Sequence, residues 1–509
     1  MKQLFTIVCL LFFGSAFSQP GTIDNSFGDA GVVITIQDEY LESSNMVEQP
    51  DGKIIVAGWY RVTSRRLILI RYNTDGSIDT SFGNDGFFIS DFRVYDSVKI
   101  TLQPDGKIVA TGNIVTDFDI FVARINPNGT LDPTFGTDGY TQVTLTYGSK
   151  GRAVAVAPDG KIIVGATMGD GNIQDKFIVL RFNANGTLDN TFGINGIGEA
   201  NYTPSTWMTD LVLRPDGGIV VCGRGGPAGY FMVTAFTAAG NLDPSFDGDG
   251  ILLFDFLDPS VVGFNDLYAL EIDADGKLYA LGRLSTNMVS IRINPDGSLD
   301  DTYGEDGLAV VELDEWSEAR GATFDDEGRI VAVGLYQSIP NAMVAVRLKT
   351  NGDLDETFGN NGYTIIDAEP DLKETANDVI IRPNGKMVVL GESAQPYTTG
   401  HIVLVGLRSG DENPTIELDQ SQLHLKVFPN PVSEFISMEL ELGQLTDISL
   451  TLLNANGQVV QTFVDRTNHA AGIFEETFLL NDQINNGQYW LVLKSGDQVG
   501  TVPLLVMRK

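Results

Sequence analysis

Residues 76–86 read GSIDTSFGNDG, and this phrase, Gly-Thr/Ser-Leu/Ile-Asp-x-Ser/Thr-Phe-Gly-x-x-Gly, occurs seven times between Gly21 and Gly362. Clear copies start at Gly21, Gly76, Gly129 and Gly186, and looser ones at Gly240, Gly297 and Gly352. Successive starts lie 55, 53, 57, 54, 57 and 55 residues apart. So even a period means a repeat architecture in which each unit buries its apolar faces against its neighbours.

Working outward, each period adds two further pieces. One is a strand, a turn and a strand, as in MVEQPDGKIIVAG from Met46 and LVLRPDGGIVVCG from Leu211. Proline presets φ at the second turn position and glycine after Asp supplies a left-handed residue, so x-Pro-Asp-Gly-x closes a hairpin. The other is a β-branched strand, LILIRYN at Leu67 or FIVLRFN at Phe177. A fourth strand follows each phrase, such as VVITI at Val32. Four short strands per period with no helical periodicity predict an all-β fold, a seven-bladed β-propeller of four-stranded blades. The ends of the array predict closure. Val32–Ile36 precedes the first hairpin, the last unit stops at Leu407 without a fourth strand, and the two complete one blade.

The expected domains are a signal peptide over 1–18, the propeller over 19–408, a linker over 409–424 and a C-terminal β-sandwich of immunoglobulin-like type over 425–509. Lys2, the apolar run Leu4 to Phe13 and Ala16-Phe17-Ser18 form the export signal, too short to span a bilayer. Cys222 is the one cysteine beyond it, so no intramolecular disulfide is expected. Sixty-seven acidic against 33 basic residues give a formal net charge of −34. That surface repels nucleic acid and anionic lipid, so neither nucleic-acid binding nor membrane insertion is expected, and it keeps an extracellular monomer soluble.

Chemistry-bearing residues are sparse. Histidine occurs at His401, His424 and His469 alone, which argues against His-ligated zinc and Ser-His-Asp arrangements in the propeller. Each phrase carries an aspartate: Asp24, Asp79, Asp132, Asp189, Asp243, Asp300 and Asp355. Identity across units suits a structural role, since a short acceptor side chain fixes a turn. Arg71, Arg124, Arg181, Arg292 and Arg347 recur on the third strand, broken by Ala235 and Gly406, and are expected to pair with acids between blades. Asp273-x-Asp275-Gly276 and Asp247-Gly248-Asp249-Gly250 lack the twelve-residue calcium-loop spacing, so no catalytic or metal-ligating set and no cofactor is expected, with Ca²⁺ the one alternative left open. Antiparallel alternation puts the Pro-Asp-Gly turns and the phrases on one face and the loops of variable length on the other. That variable face carries the candidate binding residues Trp207, Phe254, Tyr268, Trp316 and Tyr336, with Phe256 and Tyr397 beside them.

The phrase together with x-Pro-Asp-Gly-Lys-Ile-x-Val-x-Gly resembles the delta-60 repeat, a domain-of-unknown-function β-propeller family of secreted bacterial proteins; the resemblance covers Gly21 to Leu407 and implies the fold but no reaction. The last 85 residues, with Phe428-Pro429-Asn430-Pro431-Val432 and the terminal Lys509, resemble the C-terminal sorting domain of type IX secretion cargo in Bacteroidetes. That resemblance implies the type IX machinery as partner and passage through the periplasm to the outer surface or the medium. The functional expectation is a non-enzymatic binding or adhesion module with a carbohydrate or protein ligand. A secreted polysaccharide-degrading enzyme using variable-face carboxylates, and a ligand-free spacer, are the alternatives.

Overall fold

The computed structural model describes residues 19–508 apart from short internal segments, the longest being 170–174, 201–205, 255–264, 409–415 and 454–458. The expected signal peptide lies outside the described residues. The chain divides into two compact units, Gln19–Ser409 and a second built from Gly410–Lys509.

Among the described residues the first unit is seven four-stranded antiparallel sheets and no helix. The first runs Tyr40–Glu48, Ile54–Arg61, Arg65–Tyr72, Phe87–Arg93, and the plan repeats along the chain. The leading strands, Tyr40–Glu48, Lys99–Leu102, Ser149–Val156, Trp207–Leu213, Asn265–Ile272, Ser317–Phe324 and Lys373–Ile381, touch in cyclic order, and the last returns to the first. They ring a central axis. Closure is by Val32–Thr35, which pairs with Thr399–Leu407 as the ends of the array predict (Val32 opposite Val405, Thr35 opposite Ile402). Thr35 Oγ1 also meets the Tyr72 hydroxyl of the first sheet at 2.6 Å.

Second and third strands are buried almost throughout, because each sheet is covered on both faces by its neighbours; Ile108–Ile114 and Asp119–Ile125 are buried at every position. This is why they read as continuous apolar runs rather than alternating ones.

The phrase is a clamp. Asp79 Oδ1 accepts the Ser81 N–H and hydroxyl at 3.1 and 2.7 Å, and Oδ2 accepts Arg71 Nε at 2.7 Å and Lys53 Nζ at 2.8 Å. The guanidinium lies 4.8 Å over Phe82, and its Nη1 donates to the Pro127 carbonyl of the next sheet at 2.6 Å. Arg124–Asp132, Arg181–Asp189, Arg292–Asp300 and Arg347–Asp355 repeat the ion pair at 2.7–2.8 Å. The expectation that these arginines pair with acids between blades is therefore corrected: the carboxylate belongs to the same repeat, and what crosses to the next is a bond to a backbone carbonyl. Where Ala235 breaks the series, Arg214 reaches Asp243 instead; where Gly406 does, Lys386 meets Asp24 at 2.8 Å. Burial alone would raise the Asp79 carboxyl, but Lys53, Ser81 and Arg71 hold it well below the ordinary range, and Asp132, Asp189 and Asp300 behave alike.

The C-terminal unit is two four-stranded sheets. One is ordered Ile416–Gln420, Leu423–Phe428, Phe435–Leu442, Gly472–Leu479; the other is ordered Val459–His469, Thr446–Leu453, Gly487–Ser495, Gln498–Val506. Their inner faces share one core that includes Met438, Leu440, Leu450, Leu452, Leu491 and Leu504. The stretch expected as linker, 409–424, is not all linker: Ile416–Gln420 pairs with Leu423–Phe428, extending the sheet by an edge strand. Of the sorting motif, Phe428 ends a strand, whereas Pro429, Asn430, Pro431 and Lys509 lie outside the described residues.

Candidate functional site: the axial cavity

Six of the seven leading strands carry a register shift at one equivalent place: Ser43/Asn45, Gly151/Ala153, Met208/Asp210, Leu267/Ala269, Ala319/Gly321 and Ala376/Asp378. A β-bulge leaves one residue unpaired and re-aims its side chain. The residues so released are Ser44, Arg152, Thr209, Tyr268, Arg320 and Asn377, and all six line a single cavity of about 240 Å³ on the axis. Glu42 and Ser43 from the first sheet, Lys99 from the second, Trp207 from the fourth and Glu392 from the seventh complete its wall.

In four of the six bulged hairpins a second-strand glycine makes room for the bulge. Gly58, Gly223, Gly282 and Gly334 close the second strand opposite it, and a Cβ there would sit 1.9–2.0 Å from the carbonyl oxygens of Glu42, Trp207, Asp266 and Glu318. Only a residue without a side chain lets the bulged backbone approach so closely. Glu42, Ser43, Trp207 and Glu392 of the cavity wall lie on the side of the bulges remote from the Pro-Asp-Gly-type turns.

Its electrostatics are uneven. Arg152 and Lys150 lie 4.3 and 4.5 Å over the Trp207 ring. Arg320 Nε donates to Glu318 Oε1 at 2.7 Å, and Arg283 bridges Asp266 at 2.7 Å and Glu318 at 3.4 Å. Lys99 makes no hydrogen bond or ion pair among the described residues. Burial first, then the Glu42 charge, pushes the Glu392 carboxyl up to about 8 against the pull of Arg320, and Glu392 Oε2 is buried with no hydrogen-bond partner among the described residues.

Below the bulges the next position is a second clamp. Asn45 Nδ2 and Oδ1 bond the carbonyl and N–H of Ile100, both at 3.0 Å. Asp210 accepts the Leu270 N–H at 3.0 Å, and Asp378 accepts the Met46 N–H at 2.9 Å. Each ties one leading strand to its neighbour around the axis. Burial raises the Asp210 and Glu271 carboxyls and pushes Asp378 up to about 6, with Lys99 opposing for the two aspartates.

Of the aromatic residues singled out in the sequence, the cavity brings together Trp207 and Tyr268. Trp316 lies beside it, its ring 5.1 Å under the Arg283 guanidinium. Phe254 does not belong: it sits on the outermost strand, Ile251–Phe254, packed on Phe231 at 5.5 Å, because that strand ends at the sheet's far edge. Tyr336 ends a second strand and packs half-buried into the core between sheets. Phe256 and Tyr397 lie outside the described residues. Sequence reading missed Arg152, Arg320, Lys99, Glu42 and Glu392; the second-strand glycine of the bulged hairpins was the available signal. The seven phrase aspartates all sit in the clamps of the opposite face. Asp273 Oδ1 accepts the N–H groups of Asp275 and Lys277, a hairpin turn, and no group of three potential metal ligands occurs among the described residues.

Residues 49–82, 103–135, 157–192 and 328–358 match the family described as Domain of unknown function (DUF5122) beta-propeller, and residues 426–507 match the Secretion system C-terminal sorting domain. No curated protein matches the sequence. Among solved structures the chain is similar to a protein of unknown function from Dyadobacter fermentans, at 13% identity over 74% of this chain and 98% of that one, TM-score 0.40. It is similar also to YCF48 from Cyanidioschyzon merolae (10%, 74% and 98%, TM-score 0.40) and to Drosophila Plexin A in complex with Semaphorin 1b (11%, 76% and 88%, TM-score 0.38). The chain thus carries β-propeller repeats of this domain-of-unknown-function family and a type IX sorting domain, which directs it to the outer cell surface or into the medium.

Proposed function

We propose that the exported propeller is a non-enzymatic binding module whose ligand, a carbohydrate or a protein segment, enters the axial cavity from the variable-loop face. The observation that carries this reading is the convergence of dissimilar side chains on one cavity by a device repeated in six sheets. Binding sites need unlike groups from different units, and here the unlike residues are the bulged ones. The phrase residues, alike in every repeat, are engaged in backbone and ion-pair clamps instead.

A second reading has an observation of its own. Glu392, its carboxyl pushed up by burial, lines the same cavity as Glu42, and two carboxyls in unequal environments are the acid and base of glycoside hydrolysis. Immobilised polysaccharides and peptides, incubated with the mature full-length protein, separate the two. Retention without release of reducing ends supports the binding module. Release that Glu392→Gln abolishes supports the hydrolase.

A further inference from the structure

We propose that the axial cavity receives one carboxylate-bearing sugar ring, a terminal hexuronate; this rests on the binding reading above and names its ligand. The cavity is small. Drug-sized ligands occupy about 300–1,000 Å³, so about 240 Å³ suits a single ring rather than a chain laid through it. Its wall also departs from the rest of the molecule in charge. The chain carries −34, yet Lys99, Arg152 and Arg320 face two carboxyl groups, and burial shifts one of these, Glu392, toward its uncharged form.

The cations differ in their commitments. Arg320 is held by Glu318, and Arg152 lies over Trp207 with Lys150 beside it. Lys99 has neither hydrogen bond nor ion pair among the described residues, and Asp210 and Asp378 act on it only through longer-range charge. An ammonium in a cavity with no acceptor among the described residues calls for an anionic one. Glu392 Oε2, buried without a partner among the described residues, calls for a hydroxyl. One small molecule that supplies a carboxylate, several hydroxyls and an apolar ring face for Tyr268 is a uronate. A neutral hexose would leave Lys99 without its anion, and a free carboxylic acid would leave Glu392 without its hydroxyl.

The test is calorimetric titration of the mature full-length protein with methyl α-D-galacturonate and methyl β-D-glucuronate, each against its neutral hexoside and against acetate. Either uronate should bind at least tenfold tighter than its hexoside and than acetate. Lys99→Met should remove that preference while Lys99→Arg retains it, both variants keeping a single cooperative unfolding transition although Lys99→Met loses the charge that opposes burial at Asp210 and Asp378. Equal affinity for uronate and hexoside would overturn the charge assignment and leave the binding reading standing. A uronate preference unchanged in Lys99→Met would place the site elsewhere and overturn the proposal. Hydrolysis of the glycosides would overturn the binding reading itself, and absence of binding by every sugar would overturn the ligand class, leaving a protein segment as the occupant.

Discussion

Replacing Asp378 by asparagine should flatten the pH dependence of propeller stability between pH 4 and 7. The Asp378 carboxyl accepts the Met46 and Val379 N–H groups, both at 2.9 Å, and lies on the axis near Lys99, Asp210 and Glu271. Burial pushes it from 3.8 up to about 6. A group whose folded pKa is raised stabilises the fold fully at low pH, and that contribution is lost as pH rises through the folded value. At about 1.4 kcal/mol per pK unit the full shift corresponds to about 3 kcal/mol; because the residue is only half-buried, about 1–3 kcal/mol is the expected range. Asparagine does not titrate, and the sheet already shows how it fits: Asn45, at the equivalent position, bonds both the carbonyl and the N–H of Ile100. The assay is urea unfolding of the full chain at pH 4, 5, 6 and 7 followed by tryptophan fluorescence. The variant starts lower at pH 4, having lost the Val379 bond, and gains on wild type by about 1–3 kcal/mol by pH 7. A difference that stays constant across the series would refute the reasoning, as would one that moves the other way.

The phrase aspartates should titrate with the opposite sign. Their depressed pKa values contribute stability that is present above pH 4 and lost below it, so Asp300→Asn should blunt acid unfolding below pH 4 in the same urea series. Asp300→Ala leaves the buried Arg292 without its carboxylate and should cost about 3–5 kcal/mol at pH 7, read as a lowered midpoint. Gly334→Ala puts a Cβ 1.9 Å from the Glu318 carbonyl and should cost at least about 1–3 kcal/mol while disturbing Arg320, which a matched Gly328→Ala at a hairpin turn should not do; ligand affinity of the two variants separates them. Deleting residues 20–37 removes the strand paired with Thr399–Leu407 and should leave an open, self-associating ring, visible as dimers or larger species on size exclusion. Cys222 is fully buried and its thiol is pushed up by burial, then by Asp210, so it should resist thiol reagents until the protein unfolds.

How much of this was legible depends on whether a residue's partner is local. The phrase could be read because its aspartate bonds a hydroxyl two residues on and an arginine eight residues back, so one repeat contains the whole ion pair and every repeat states it again. Ring closure could be read because a missing strand at one end and an extra one at the other leave little else to do. The hairpin glycine was equally visible, but its reason is not local. Gly334 is glycine because the Glu318 carbonyl sixteen residues earlier leaves no room for a Cβ, and that contact exists only once the leading strand has bulged. Trp207 and Tyr268 were named from their loop face, but the bulged position they belong to or adjoin was illegible for a related reason. Ser44, Arg152, Thr209, Tyr268, Arg320 and Asn377 share a backbone position and nothing else, so no motif marks them. Counting eight residues back from the glycine of each hairpin turn finds them, and in the second sheet the same count lands on Val98. That strand, Lys99–Leu102, shows no register shift among the described residues, and it is Lys99, one place further on, that lines the cavity. The fold thus holds its shape with the residues that repeat and varies its chemistry at the one position that the repeat leaves unpaired. On the binding reading, ligand choice is set by six bulged side chains and by Lys99 on a fixed frame, which is why substitution at Lys99 should change what is bound without changing the propeller fold.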